Sequence, residues 1–145
     1  MLEIMFVVAI AALAVTIITI SFYKLNSSQA LDKAAALVVS TLDEARSLTL
    51  SSKDASQYGV HFEPSQVVLF KGATYSPSDS GNVAADVHSL VSLRNITLSG
   101  GNTSVVFKRL TGNTDETGTV EIFLKAIPET FRTVIISGTG IVELN

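Results

Sequence analysis

No cysteine occurs among the 145 residues. That excludes disulfides, thiolate metal sites and thiol catalysis, and leaves the redox compartment unread. Residues 1–58 contain no glycine and no proline; all nine glycines and all three prolines come later. Glycine weakens helix interiors and proline breaks them, so the first part is free to form one uninterrupted helix. Runs of lysine or arginine are also missing, and the net charge is −3. A fold that grips phosphates normally shows a basic patch, which argues against nucleic acid as the partner. Neither a glycine-rich phosphate loop nor a nucleophile-elbow motif occurs, and no catalytic constellation is visible, so an enzyme is not expected.

What the chain does have is a long apolar run at its amino end. Ile4 to Tyr23 are 20 residues without a charge, with Glu3 just ahead of them. A secretory signal wants a basic n-region, a shorter apolar core and a small-residue cleavage site, none of which fits. A buried globular helix is rarely apolar all round. A membrane span fits best, since 20 residues at about 1.5 Å each give about 30 Å, the thickness of the hydrocarbon core. The expected span residues are Ile4, Phe6, Val7, Ile10, Leu13, Ile17, Ile20 and Tyr23. Thr16, Thr19 and Ser21 do not oppose it, because their hydroxyls bond to preceding carbonyls. The nearby cations, Lys24 and Lys33, follow the run. On charge alone the larger part would then be cytoplasmic, unless a basic leader precedes this chain.

Beyond Tyr23 the pattern turns amphipathic. Leu31, Ala35, Val38, Leu42, Ala45 and Leu48 recur at three- and four-residue spacing, one helical face. The helix is expected from residue 2 to about 52, roughly 75 Å long. After it the period becomes two. Tyr58–Phe62 and Gln66–Phe70 read as a hairpin, 76–86 as a polar loop, and 87–93 and 94–98 as two short strands. Strands at 104–109 and 119–125 flank a second polar loop, 111–118, and 131–137 pairs with 140–144 across SGTG. The expectation is an α+β fold in three parts: an apolar half-helix over 1–23, an amphipathic half over 24–54, and an antiparallel β-domain over 55–145. About eight strands form a sheet that the amphipathic half covers.

A carboxylate just ahead of an unbroken apolar helix, an amphipathic continuation and a compact β-domain together resemble the type IV pilin and type II secretion pseudopilin family. Met1-Leu2-Glu3 matches the end of that family's leader-proximal motif, and IMFVVAIAALAV matches its helix. The stretches YGVHFEPSQVVLFKG, VVFKRLTGNTDETGTVEIFL and RTVIISGTGIVEL resemble minor pseudopilins of the H type (GspH/FimT-like). The resemblance implies the pilin fold and a structural subunit, a minor pilin or pseudopilin, of a type IV pilus or type II secretion pseudopilus. Before assembly such a subunit sits as a single-pass protein in the inner (cytoplasmic) membrane, with its β-domain on the periplasmic side. Its partners are other subunits, the inner membrane and the prepilin peptidase that processes and methylates the precursor. No cofactor is implied. The leader and first two mature residues of the family pattern have no counterpart, so the mature chain is expected to begin two positions before Met1. The apolar helix lacks the family's common proline or glycine, which implies a straighter helix that melts less readily on assembly. The paired cysteines of many major pilins and the calcium loop of the major pseudopilin have no clear match.

Among individual residues Glu3 stands out. A carboxylate at the centre of a span costs about 2.5–3.5 kcal/mol, and less near an end, where it snorkels. In the family the equivalent residue pairs with the terminal amine of a neighbouring subunit, which offsets desolvation and fixes the axial step between helices. His61 and His88 are the two histidines; a surface or edge role is expected for His61, on the face opposite Tyr58, Val60 and Phe62. Asp79-Ser80-Gly81-Asn82 and Asp115-Glu116 offer oxygens that suit either calcium or ordinary polar turns, and no metal site is expected. Lys108 and Arg109 form the densest basic pair, a weak phosphate contact at most and otherwise a solvated strand edge. Asn26, Asn95 and Asn102 sit in N-x-[ST] sequons of the kind a Ser/Thr-rich chain produces by chance. The rival to a polymerising subunit is a pilus-associated binding module, an adhesin or DNA-uptake receptor.

Overall fold

The computed structural model describes residues 2–145, with the side chains of residue 2 and of 17–24 outside the description. One continuous helix, α1, runs Leu2–Leu50. Its 49 residues span roughly 73 Å, as the glycine- and proline-free stretch allows. Eight strands follow: β1 Tyr58–Phe62, β2 Gln66–Lys71, β3 Val83–Asp86, β4 Val91–Leu98, β5 Ser104–Val106, β6 Gly118–Leu124, β7 Ile127–Ile136 and β8 Val142–Leu144. They form two four-stranded sheets, ordered β3-β2-β1-β5 and β4-β6-β7-β8, and every pairing is antiparallel. The expected α+β class holds, but two sheets replace the one expected.

The second half of α1 is amphipathic as its periodicity predicts. Leu31, Ala35, Val38, Leu42 and Ala45 are fully or almost fully buried, and Leu48 is half-buried near the helix end. Ala30 and Ala34 extend this stripe; their small side chains let the backbone come close to the sheets. Against it pack Val60, Phe62 and Val67 from the first sheet, and Leu93, Ile122, Val134 and Ile136 from the second. The sheets are tied to each other where Leu93 N–H donates to the Pro64 carbonyl (2.9 Å) at the β1–β2 turn. Polar bonds fix α1 along its length. Asp32 pairs with Arg132 of β7 at 3.0 Å. Arg46 Nε donates to the Gly112 carbonyl at 3.3 Å, and that same carbonyl lies so close to Gly140 that a side chain there would collide with it.

The end of α1 is held by a buried hydroxyl. Thr49 Oγ1 donates to the Ala45 carbonyl (2.8 Å) and accepts from the Tyr58 N–H (2.9 Å), joining the last helical turn to the start of β1. Between them the chain reverses through three non-glycine residues with left-handed backbone, Ser52 (φ 51), Asp54 (φ 53) and Ala55 (φ 52). Each costs of order 1–2 kcal/mol. Asp54 is anchored there by Lys71 (3.2 Å) and by the Tyr58 hydroxyl (3.2 Å).

Several strand expectations need correction. The stretch 87–98 is not two strands but the tail of a loop and one strand, β4, with an irregularity between Arg94 and Thr97 where Asn95 takes φ 47. The end of the expected polar loop 76–86 is a strand, β3, which pairs with β2. β7 begins at Ile127 rather than at 131; Pro128 falls where its register with β6 shifts, between Phe123 and Leu124, a position proline tolerates. The basic pair is also displaced, since β5 ends at Val106 and Lys108 and Arg109 lie in the loop after it.

Among the described residues, 3–16 of α1 are all exposed. Ile4, Met5, Phe6, Val7, Val8, Ile10, Leu13 and Val15 are 61–72% exposed. Among the described residues no helix is long and apolar enough to cross a membrane, so the span expected over 4–23 is not supported. Ile17, Ile20 and Tyr23 lie outside the residues whose side chains are described.

Candidate functional site

Two surfaces stand apart from ordinary core and turn chemistry. The first is the projecting half of α1. Its large apolar side chains face outward on every side of the helix, an arrangement that isolated soluble helices avoid. Glu3 is in the first turn and exposed. There its carboxylate opposes the positive end of the helix dipole, a favourable place for an anion.

The second surface is the outer face of the first sheet. Gly59 leaves room for the Phe70 ring, since a Cβ at Gly59 would lie 2.6 Å from it and 2.5 Å from the Val105 carbonyl. Tyr75, from the β2–β3 loop, folds back over this face. Its ring stacks on His61 at 3.9 Å between centroids and meets Phe70 edge-on at 5.5 Å. Phe70 is thereby buried on the side away from α1. His61 Nδ1 is 2.8 Å from Ser104 Oγ across the β1–β5 pair, and its Nε2 is 3.8 Å from Glu63. Burial pushes the His61 pKa down, and the neighbouring Glu63 carboxylate pulls weakly the other way. Burial pushes the Tyr75 hydroxyl up, with Glu63 adding to it. Beside Tyr75 a cavity of about 440 Å³ opens toward β5, lined by Thr74, Asn102, Ser104, Val106 and Glu116 among others. His61 thus faces away from the core as expected. Its tyrosine partner comes from a loop whose sequence gives no sign of that contact.

The remaining sequence candidates are ordinary. Lys108 and Arg109 are both exposed, and Lys108 is ion-paired with Asp115 at 2.6 Å. Asp79 accepts the Gly81 N–H (2.8 Å) as turn chemistry, and among the described residues no acidic or histidine cluster is placed to hold a metal. Glu116 bonds Thr114 (2.8 Å) and the Val106 N–H (3.2 Å). His88 accepts the Leu90 N–H at 3.2 Å in the turn before β4. One cluster has no signal in the sequence: Arg94, whose guanidinium lies 4.4 Å over the Phe123 ring, while pairing with Glu121 at 3.0 Å on the outer face of the second sheet.

A helix whose second half lies against two antiparallel sheets, with the exposed residues 3–16 ahead of it, is an α+β arrangement of the pilin-like class. In that class, the chain is similar to the crystal structure of the type IV minor pilin FimU of Pseudomonas aeruginosa. The TM-score is 0.61 at 17% identity, over 79% of this chain and 92% of that one. At that identity the likeness establishes the fold. No protein-family model and no curated protein sequence matches the chain.

Proposed function

We propose that the chain is a pilin-like structural subunit, a minor pilin or pseudopilin, that joins a helical fibre through the first half of α1. The observation that carries this reading is that half-helix: eight large apolar side chains stand 61–72% exposed on an element the folded domain does not cover. Like helices supply the cover. Moving the half-helix from lipid, its resting place in the inner membrane, into a bundle exchanges one apolar surrounding for another. Packing and polar pairing then set the register rather than hydrophobic gain. Glu3 provides the pairing, its carboxylate meeting a neighbouring subunit's terminal amine in a dry bundle where the attraction is strong. The β-domain remains outside and offers the loops 76–86 and 111–118 to adjoining subunits. An open helical fibre makes such contacts heterologous. The rival binding-module reading has less to rest on, because Lys108 of the densest basic pair is already ion-paired with Asp115.

The test is incorporation of Glu3→Gln and Glu3→Leu chains into sheared fibres, with the folded domain monitored by circular dichroism. Both variants are expected to fold and to be depleted from the fibre fraction. Undiminished incorporation of Glu3→Leu would refute the pairing role.

A further inference from the structure

β5 is an edge strand, last in the order β3-β2-β1-β5. Its register fixes which main-chain groups face outward. Phe62 N–H donates to the Thr103 carbonyl (2.8 Å), and Phe107 N–H to the Tyr58 carbonyl (3.1 Å). The hydrogen-bonded pairs with β1 therefore fall at Thr103, Val105 and Phe107, and the residues between them turn N–H and C=O away from β1. These are Ser104 and Val106. The Val106 N–H follows this rule, since its acceptor is Glu116 Oε2 (3.2 Å). The same carboxylate oxygen accepts from Thr114 (2.8 Å), a buried residue. Glu116 thus occupies the line that a further strand would take, standing in for one backbone carbonyl. Alongside it lies the cavity of about 440 Å³, between Thr74 and Tyr75 on one wall and Asn102, Ser104, Val106 and Glu116 on the other. Its size is within the about 300–1,000 Å³ of ligand clefts. No lysine or arginine lines it. Natural edges are usually blunted by lysine, proline or bulges; here the Glu116 carboxylate covers the Val106 N–H, and the Asn113 carbonyl takes the Lys108 N–H just past the strand.

We propose that this edge binds an extended, basic peptide segment, which adds to the first sheet as a fifth strand beside β5. The extended form follows from the outward groups of Ser104 and Val106, which strand addition satisfies. The basic character follows from charge: the cavity presents the Glu116 carboxylate with no lining cation to balance it. On docking, a peptide carbonyl accepts from the Val106 N–H. Glu116 keeps its Thr114 bond and turns to the incoming ammonium or guanidinium. The site stands whether or not the chain polymerises, because it uses none of α1's exposed half.

The experiment uses the full chain in detergent micelles with a blocked Thr-Lys-Val-Lys-Thr peptide, and a Glu-for-Lys version of it as the opposite charge. Amide hydrogen exchange is read residue by residue. Binding of the basic peptide is expected to slow exchange at Ser104 at least about tenfold, as a newly protected strand amide should. The amide of Leu144, on the edge strand of the other sheet, stays unchanged. Added salt weakens binding, and the acidic peptide does not bind. Glu116→Gln retains an acceptor for Val106 and Thr114 but loses the charge, so affinity falls about fivefold with folding intact. Unchanged Ser104 exchange at millimolar peptide, equal slowing at Leu144, equal binding of the acidic peptide, or undiminished binding to Glu116→Gln would each overturn the proposal.

Discussion

Replacing Thr49 by valine keeps the side chain's shape and removes its hydroxyl. In the native structure that oxygen is the acceptor for the Tyr58 N–H at 2.9 Å, and the residue is 0% exposed. Tyr58 sits at the head of β1, its carbonyl already taken by Phe107 N–H, so the valine variant strands a buried donor. The cost of such a group is about 1–3 kcal/mol. Serine retains the hydroxyl and loses one buried methyl, worth about 1 kcal/mol. The predicted order of stability is therefore wild type, then Thr49→Ser, then Thr49→Val, with valine roughly 2 kcal/mol below wild type. For a chain of this size that is a fall in melting temperature of roughly 6–10 °C, against roughly 3–5 °C for serine. Urea denaturation followed by circular dichroism reads the order directly. Should Thr49→Val match or exceed Thr49→Ser, packing rather than hydrogen bonding would secure the helix end, and the reasoning would fail.

Two further outcomes follow from the same region and from the outer face. Ala55→Gly relieves a left-handed φ of 52, a gain of about 1–2 kcal/mol offset by about 0.5–1 kcal/mol of glycine's extra chain entropy. The urea midpoint should rise slightly, and a fall would show that the backbone there is unstrained. His61 has its pKa pushed below the ordinary value by burial, so the unfolded chain takes up a proton more readily than the folded one. Stability should be level above about pH 6.5 and decline as pH falls below it. His61→Gln should flatten that slope between pH 7.5 and 5, which paired melts would reveal.

The helix was legible because its signal is local. Leu31, Ala35, Val38, Leu42 and Ala45 mark one face by spacing alone, and the absence of glycine and proline before residue 59 marks its continuity. The β1–β2 hairpin was legible for the same reason, with Glu63-Pro64-Ser65 between two alternating runs. What stayed hidden depends on partners distant in sequence. β3 is the sequence VAAD at the end of a Ser/Pro/Asp loop; it becomes a strand because β2 offers it an edge. The stretch 87–98 reads as two strands parted between Leu93 and Arg94, whereas the fold makes one strand, β4, there and absorbs Asn95 as a bulge with positive φ. Two sheets rather than one arise because β5, after leaving β4 through a tight turn, pairs with β1 instead. Alternation identifies strands but not their neighbours. At the candidate sites, Glu3 was visible as a charge out of place, whereas the role of Glu116 was not. Its carboxylate lies against β5 only because Thr114 and the loop before β6 bring it there.

The central claim is that the exposed half of α1 is a helix-packing surface. With no native cysteine to interfere, Phe6→Cys and Leu13→Cys, each 65–71% exposed in the wild-type residue, can be cross-linked in assembling cells. Ser89→Cys, on the exposed turn before β4, serves as the control position. The account predicts covalent dimers, or adducts with other helical subunits, from positions 6 and 13 and none from 89. Equal cross-linking at all three, or none at 6 and 13 while fibres form, would contradict it.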